Sequence, residues 1–227
     1  MFYFDPMYFL FIAPAVLLGL WAQIRIHAAY GRAQQLAAPL SGAAAARHIL
    51  DSAGLNDVAV EQIPGHLSDH YDPRDKVLRL SDEVYHSRSL AAVGIAAHEA
   101  GHALQHAYSY APLMVRNAAV PVAGFGSNVG ILLIIIGAIL NMNALLIWLG
   151  IALFASVVVF QLVNLPVEFN ASSRARAQLV QLEIVSPQQL HYIDKVLNAA
   201  ALTYVATTLQ AFLTLLYYVL RFTGRRD

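Results

Sequence analysis

The chain has 227 residues, 58% of them hydrophobic and 12% charged, with Lys and Arg balanced by Asp and Glu to a net charge of zero and a mean hydropathy of +0.55. Soluble domains carry about 25% charged residues, so this balance predicts a membrane protein, and the absence of a basic excess excludes nucleic acid as a partner. There is no cysteine, so disulfides and thiolate metal sites are excluded and any metal must be held by imidazole and carboxylate.

Residues 6–22 contain no charged side chain, and Ile24 extends the run toward the roughly 20 residues that a span needs. Asp5 precedes this run and Arg25 and Arg32 follow it, the reverse of a cleaved signal, so a retained first span over 6–24 is expected. The part that carries the candidate site is expected over 26–116. Its first portion, 26–55, reads as helical, with Ser41 as the N-cap of Gly42–Ala53 and Gly54 as its stop. Stretches 58–63, 66–71 and 76–80 have strand character, separated by Pro64-Gly65 and by Asp72-Pro73-Arg74-Asp75, and predict a small antiparallel meander. Ser81 or Ser89 can cap a helix through Leu90–Tyr108.

From Asn117 to Val167 no charged residue occurs, and Asn141-Met142-Asn143 breaks the run, so two spans at 118–140 and 144–165 form a membrane hairpin. Residues 166–195 read as a polar helix and linker, with Ser186-Pro187 starting a further helix. A last charge-free stretch, 196–220, ends in Tyr217, Tyr218 and Arg221, Arg225, Arg226 and is a fourth span or an interfacial helix. The fold class is thus a mainly α integral membrane protein of about four apolar helices. They carry a part that the His-Glu-Ala-Gly-His pentad at 98–102 makes zincin-like and catalytic, and the chain reads as one membrane-embedded domain over 1–227.

Residues 98–102 read His-Glu-Ala-Gly-His. On a helix, positions i and i+4 share a face, so His98 and His102 can offer imidazoles to one Zn²⁺ while Glu99 stands beside them as a base for water. A catalytic zinc site takes three protein ligands and leaves a position open. The third-histidine pattern of the metzincins is absent, because Gln105 and Tyr108 stand where its glycine and histidine belong. His106 lies one further turn along, where a straight helix cannot bring it to the same ion. It reads as a residue that orients a ligand or as an exposed histidine. Between Glu99 and Glu183 the single acidic residue is Glu168, and a hairpin of two spans would return it to the side of the HEAGH helix. Glu168 is therefore the expected third ligand, with Glu183 and Asp194 as alternatives.

HEAGHALQH, a two-span hairpin and then LPVEFNASSRA, together with DHYDPR at 69–74 and the following VLRLSDEVY, strongly resemble the YugP-type membrane zinc metallopeptidases. These are similar to the HtpX heat-shock proteases and the CaaX prenyl endoproteases among the gluzincins, whose third ligand lies in a Glu-Phe-x-Ala motif. The resemblance covers nearly the whole chain and implies one zinc per chain on His98, His102 and Glu168, with Glu99 catalytic. Two positions depart from the pattern. Ser172 stands where HtpX-like enzymes have an aspartate that supports a zinc-binding histidine. Asn170 stands where YugP-type chains often have aspartate; its amide can still accept a bond from an imidazole N–H.

The implied activity is that of a zinc endopeptidase, in which Glu99 moves a proton from water to the leaving amine. Arg174, His191 and Tyr192 are candidate donors to the oxyanion, with Tyr71 and Tyr85 behind them. A peptide or membrane-protein substrate could add as a strand to an edge of the 58–80 sheet. Three other classes compete: a non-catalytic zinc-binding scaffold, an intramembrane site-2-type protease and a transporter. The base beside an open position, the short apolar run before the pentad, and the charge-free spans argue against each in turn. Arg25, Arg32, Arg116, Arg174, Arg176 and Lys195 outnumber Arg221, Arg225 and Arg226. The positive-inside rule then puts the catalytic part in the cytoplasm and the N-terminus outside, in a multi-pass protein of a bacterial inner membrane.

Overall fold

The computed structural model describes residues 5–66, 68–140 and 142–223. Its elements run α1 (Pro6–Gln34), α2 (Gly42–Ser52), β1 (Ala59–Ile63), β2 (His70–Asp72), β3 (Val77–Ser81), α3 (Asp82–His86), α4 (Leu90–Ala107), α5 (Ala111–Ile139), α6 (Ala144–Gln181) and α7 (Pro187–Thr223). Helices α1, α5, α6 and α7 are long and apolar enough to cross a membrane; α4 is not among them. The expected 166–195 helix is the continuation of the second hairpin helix, since α6 runs on to Gln181 with Pro166 inside it. Leu67, Asn141, Arg225 and Arg226 lie outside the described residues.

The chain divides into two compact units. The first comprises Met1–Trp21, Met114–Pro166 and Leu202–Asp227. Here α5 and α6 pair as a hairpin whose turn places Met142 at φ +61° and uses the Asn143 side chain to accept from the Leu146 N–H at 3.1 Å. Small residues let the two backbones touch: a Cβ on Gly150 would lie 2.5 Å from the Gly130 carbonyl oxygen. Ile134, Ile147 and Ile151 pack against Leu215 and Phe222 of α7, and Phe154 and Val158 against Ala211. Leu10, Leu145 and Leu162 point outward, as lipid-facing residues should. Asp5 starts α1 by accepting from the Met7 N–H at 3.0 Å, and its other oxygen takes the Tyr217 hydroxyl at 2.5 Å and pairs with Arg221 at 3.4 Å. The start of α1 and the end of α7 therefore share one end of this bundle, and Arg221 is locally neutralised.

The second unit comprises Ala22–Leu113 and Val167–Ala201. At its centre stands α4, begun by Ser89, whose hydroxyl accepts from the Ala92 N–H at 3.2 Å. Ala91, Ala92, Ala96, Ala97, Ala100 and Ala103 are all buried. A helix covered on most sides must be thin, and alanine gives that without losing helix propensity. α2 packs on it, capped by Ser41 and stopped at Gly54, which takes φ +73°. Ile49, Leu50, Leu78, Leu80 and Ile193 complete a core with no exposed surface.

The three strands are ordered β1-β3-β2, with β1 parallel to β3 and β2 antiparallel to it. This corrects the expected all-antiparallel meander. The most apolar segment, Val-Leu-Arg-Leu-Ser, is buried at four of its five positions, so it takes the middle of the sheet, and the more polar β1 and β2 become edges. Once β3 is central, the Asp72–Lys76 turn folds β2 back beside it, and β1 must pair on the other side.

Candidate metal centre

α4 presents His98 and His102 one turn apart, with ring planes at 88° and centroids 4.8 Å apart. α6 brings Glu168 against them: its Oε2 lies 3.2 Å from His98 Nε2 and 3.6 Å from His102 Nε2. One donor atom from each of the three residues falls within 4.8 Å of the other two, and this is the metal-competent group among the described residues. The approach depends on Gly101, because a Cβ there would lie 2.5 Å from the Ala171 carbonyl oxygen on α6. Val167, Ala171, Ala175 and Leu179 form the buried stripe by which α6 docks. Glu168 and Ser172 flank that stripe, one helical turn apart.

The donor set fits a zinc ion. Two ligands about 2.0–2.1 Å from a tetrahedral centre stand roughly 3.3 Å from each other, and the two imidazole–carboxylate separations straddle that value. Glu168 is 7% exposed, and a carboxylate that far from water needs a partner of opposite charge. Both imidazoles also have the far nitrogen held, as zinc-ligating histidines do. His98 Nδ1 meets Ser172 Oγ at 3.1 Å, and His102 Nδ1 meets Gln105 Oε1 at 3.0 Å. The serine in place of an aspartate thus keeps contact with a histidine but brings no negative charge.

Glu99 is partly buried beside the pair, and its Oε2 accepts the main-chain N–H of Tyr71 at 3.1 Å. Removal from water pushes its carboxyl above the ordinary range, a shift that the neighbouring imidazoles oppose. Tyr71 lies on β2, in the register position opposite Leu78, so its N–H points off the ladder toward α4. The Tyr71 hydroxyl also meets His106 Nδ1 at 2.9 Å. Two bonds seven residues apart on α4 therefore strap the β2 edge beside the pentad. His106 has this structural partner and stands outside the metal group. Burial pushes the Tyr71 phenol up to about 12.

The remaining sequence candidates separate. Asn170 does not reach an imidazole; its Oδ1 accepts from Arg174 Nε at 2.8 Å and from Gln105 Nε2 at 3.1 Å. The guanidinium of Arg174 also lies over the rings of Tyr108 and Tyr110, at 5.6 and 5.9 Å. His191 is exposed, and its ring packs edge-on to Tyr192, which in turn faces Lys195. Tyr85 packs edge-on to His86. Glu183 is exposed at the end of α6 with φ +52°, and Asp194 is paired with Arg176 at 2.6 Å, so neither alternative ligand joins the group. Gln105 was visible in the sequence only as a departure from the metzincin pattern. Its place three residues after His102, on the same helix face, is the signal that could have marked it as a partner.

A family model described as "Putative neutral zinc metallopeptidase" matches residues 8–223. The chain is 46% identical over 224 residues to "Putative membrane protease YugP" of Bacillus subtilis (strain 168), an alignment covering 97% of this chain and 99% of that one. No solved structure matches. With four apolar helices of spanning length and a family match over almost its entire length, this integral membrane protein belongs to that neutral zinc metallopeptidase family.

Proposed function

We propose that the chain is a zinc-dependent membrane endopeptidase, with one zinc per chain held by His98, His102 and Glu168 and with Glu99 as the general base. The observation that carries this reading is the convergence of two imidazoles and a carboxylate within 4.8 Å, next to a second carboxylate that is not part of the group. A purely structural zinc is usually closed by four protein ligands; here the described group stops at three and Glu99 stands beside it. Bound there, zinc supplies a Lewis acid that polarises the scissile carbonyl and acidifies water.

The chain's own residues do the rest. Glu99 takes the proton from water and delivers it to the departing amine. β2 is an edge strand whose outward main chain lies beside Glu99 through Tyr71. The Tyr71 N–H is already taken by Glu99, so an extended peptide would pair with the remaining outward groups of the sheet edges, which favours unfolded or membrane-protein segments as substrates. Arg174 has its Nε committed to Asn170, so only its terminal nitrogens remain for an oxyanion or a substrate carboxylate. The excess of arginine and lysine near the spans supports a catalytic part on the cytoplasmic side of a bacterial inner membrane, with the N-terminus outside. Pairing of Arg221 with Asp5 weakens the one set of charges that opposes this orientation. The test is metal analysis of detergent-purified protein together with peptide-cleavage assays before and after chelation. Cleavage that survives full removal of metal would refute the reading.

A further inference from the structure

Resting on the reading of His98, His102 and Glu168 as a zinc site, we propose that Gln105 is a positioning residue that fixes the tautomer and orientation of His102. The Val167 carbonyl and an Asn170 anchored by Arg174 lock Gln105 in turn. The polarity of this relay is forced from its outer end. A guanidinium only donates, so the Asn170 atom 2.8 Å from Arg174 Nε is the amide oxygen. That oxygen lies 3.1 Å from the side-chain nitrogen of Gln105, and the same nitrogen is 2.7 Å from the Val167 carbonyl oxygen. Both neighbours are acceptors, so the Gln105 NH₂ faces them and its oxygen faces His102.

An amide oxygen cannot donate. His102 Nδ1, 3.0 Å away, must therefore carry the hydrogen. When the ring binds a metal it is neutral and has one N–H; with that hydrogen on Nδ1, Nε2 offers its lone pair on the side of Glu168. Gln105 is 0% exposed, and water cannot take over any of its three bonds. His98 is held differently. Its Nδ1 meets a serine hydroxyl, which can donate or accept and so imposes no tautomer. The two ligand histidines are thus unequal, one dictated by a buried amide relay and the other free to adapt.

The experiment measures zinc affinity by competition with a chromogenic chelator for wild type, Gln105→Met, Arg174→Met, Arg174→Lys, Ser172→Ala and Glu168→Ala. The His102 tautomer is read by ¹⁵N-histidine NMR of the metal-free proteins at a pH where the ring is neutral. Gln105→Met should weaken zinc by about 10- to 100-fold, the scale on which orienting partners of ligands act, and should let the Nε2–H tautomer appear. Arg174→Met should act in the same direction by a smaller factor, Arg174→Lys should restore binding, and Ser172→Ala should cost less than Gln105→Met. If Gln105→Met does not fold, the Arg174 pair decides. Wild-type affinity in Gln105→Met, or lost affinity with an unchanged His102 tautomer, overturns the relay; so does equal affinity in both Arg174 variants if they alone can be measured. Wild-type affinity in Glu168→Ala would instead overturn the zinc-site reading itself.

Discussion

The site depends on how closely α4 and α6 approach, and Gly101→Ala tests that dependence directly. The added Cβ would lie 2.5 Å from the Ala171 carbonyl oxygen, 3.1 Å from its carbon and 3.3 Å from its Cα. A carbon and a carbonyl oxygen rest at about 3.3–3.6 Å, so the helices must separate locally by at least about 0.8 Å. The obstructing atoms belong to a helix backbone, so no side-chain rotation relieves the clash. Gly101 lies between His98 and His102 on α4, and Ala171 lies three residues after Glu168 on α6. Most of the displacement therefore falls on the carboxylate–imidazole separations of 3.2 and 3.6 Å. Metal sites tolerate ligand displacements of about 0.2 Å, so Gly101→Ala should lower zinc affinity by about tenfold or more. Overpacking should also destabilise the protein by about 1–3 kcal/mol. Chelator competition gives the first number and thermal unfolding of the metal-free protein gives the second. A Gly101→Ala protein that binds zinc like wild type would refute the argument that this glycine sets the geometry of the centre.

The same site and topology predict other outcomes. Glu99→Gln should keep near-stoichiometric zinc while losing proteolysis by at least about a hundredfold, measured as metal content against cleavage rate; substantial cleavage by the metal-loaded variant would remove Glu99 as the base. Glu168→Ala and Glu168→Gln should both lose zinc affinity far more than Glu183→Ala, because a neutral amide is a poor zinc ligand and Glu183 is exposed at the end of α6; chelator competition would show otherwise as equal affinities. Protease added outside intact cells should leave the 40–90 region uncut, and reporter fusions placing that region on the outer face would reverse the assigned topology.

What the sequence made legible was set by the range of the forces involved. The four apolar helices and the Ser41, Ser89 and Ser186 caps are local: hydrocarbon thickness and unsatisfied helix-end N–H groups dictate them within one segment. The i, i+4 spacing of His98 and His102 is local as well. The approach of Glu168 to the two histidines was reachable because so few acidic residues follow the pentad and because hairpin closure is a strong constraint in a membrane. The sheet was misread because the choice of the central strand is decided by comparison. Val77–Ser81 wins that position only against β1 and β2 together, and turn signals between neighbouring strands carry no information about it. The relay through Gln105 lay deeper still. A glutamine on an alanine-rich helix reads as an ordinary polar position until α6 supplies Val167 and Asn170 as acceptors. Only then does its amide acquire a direction, and only a directed amide can decide which nitrogen of His102 faces the metal. The proposed ligands are thus written into the spacing of the chain, whereas the tautomer proposed for one of them is written into the packing of two helices.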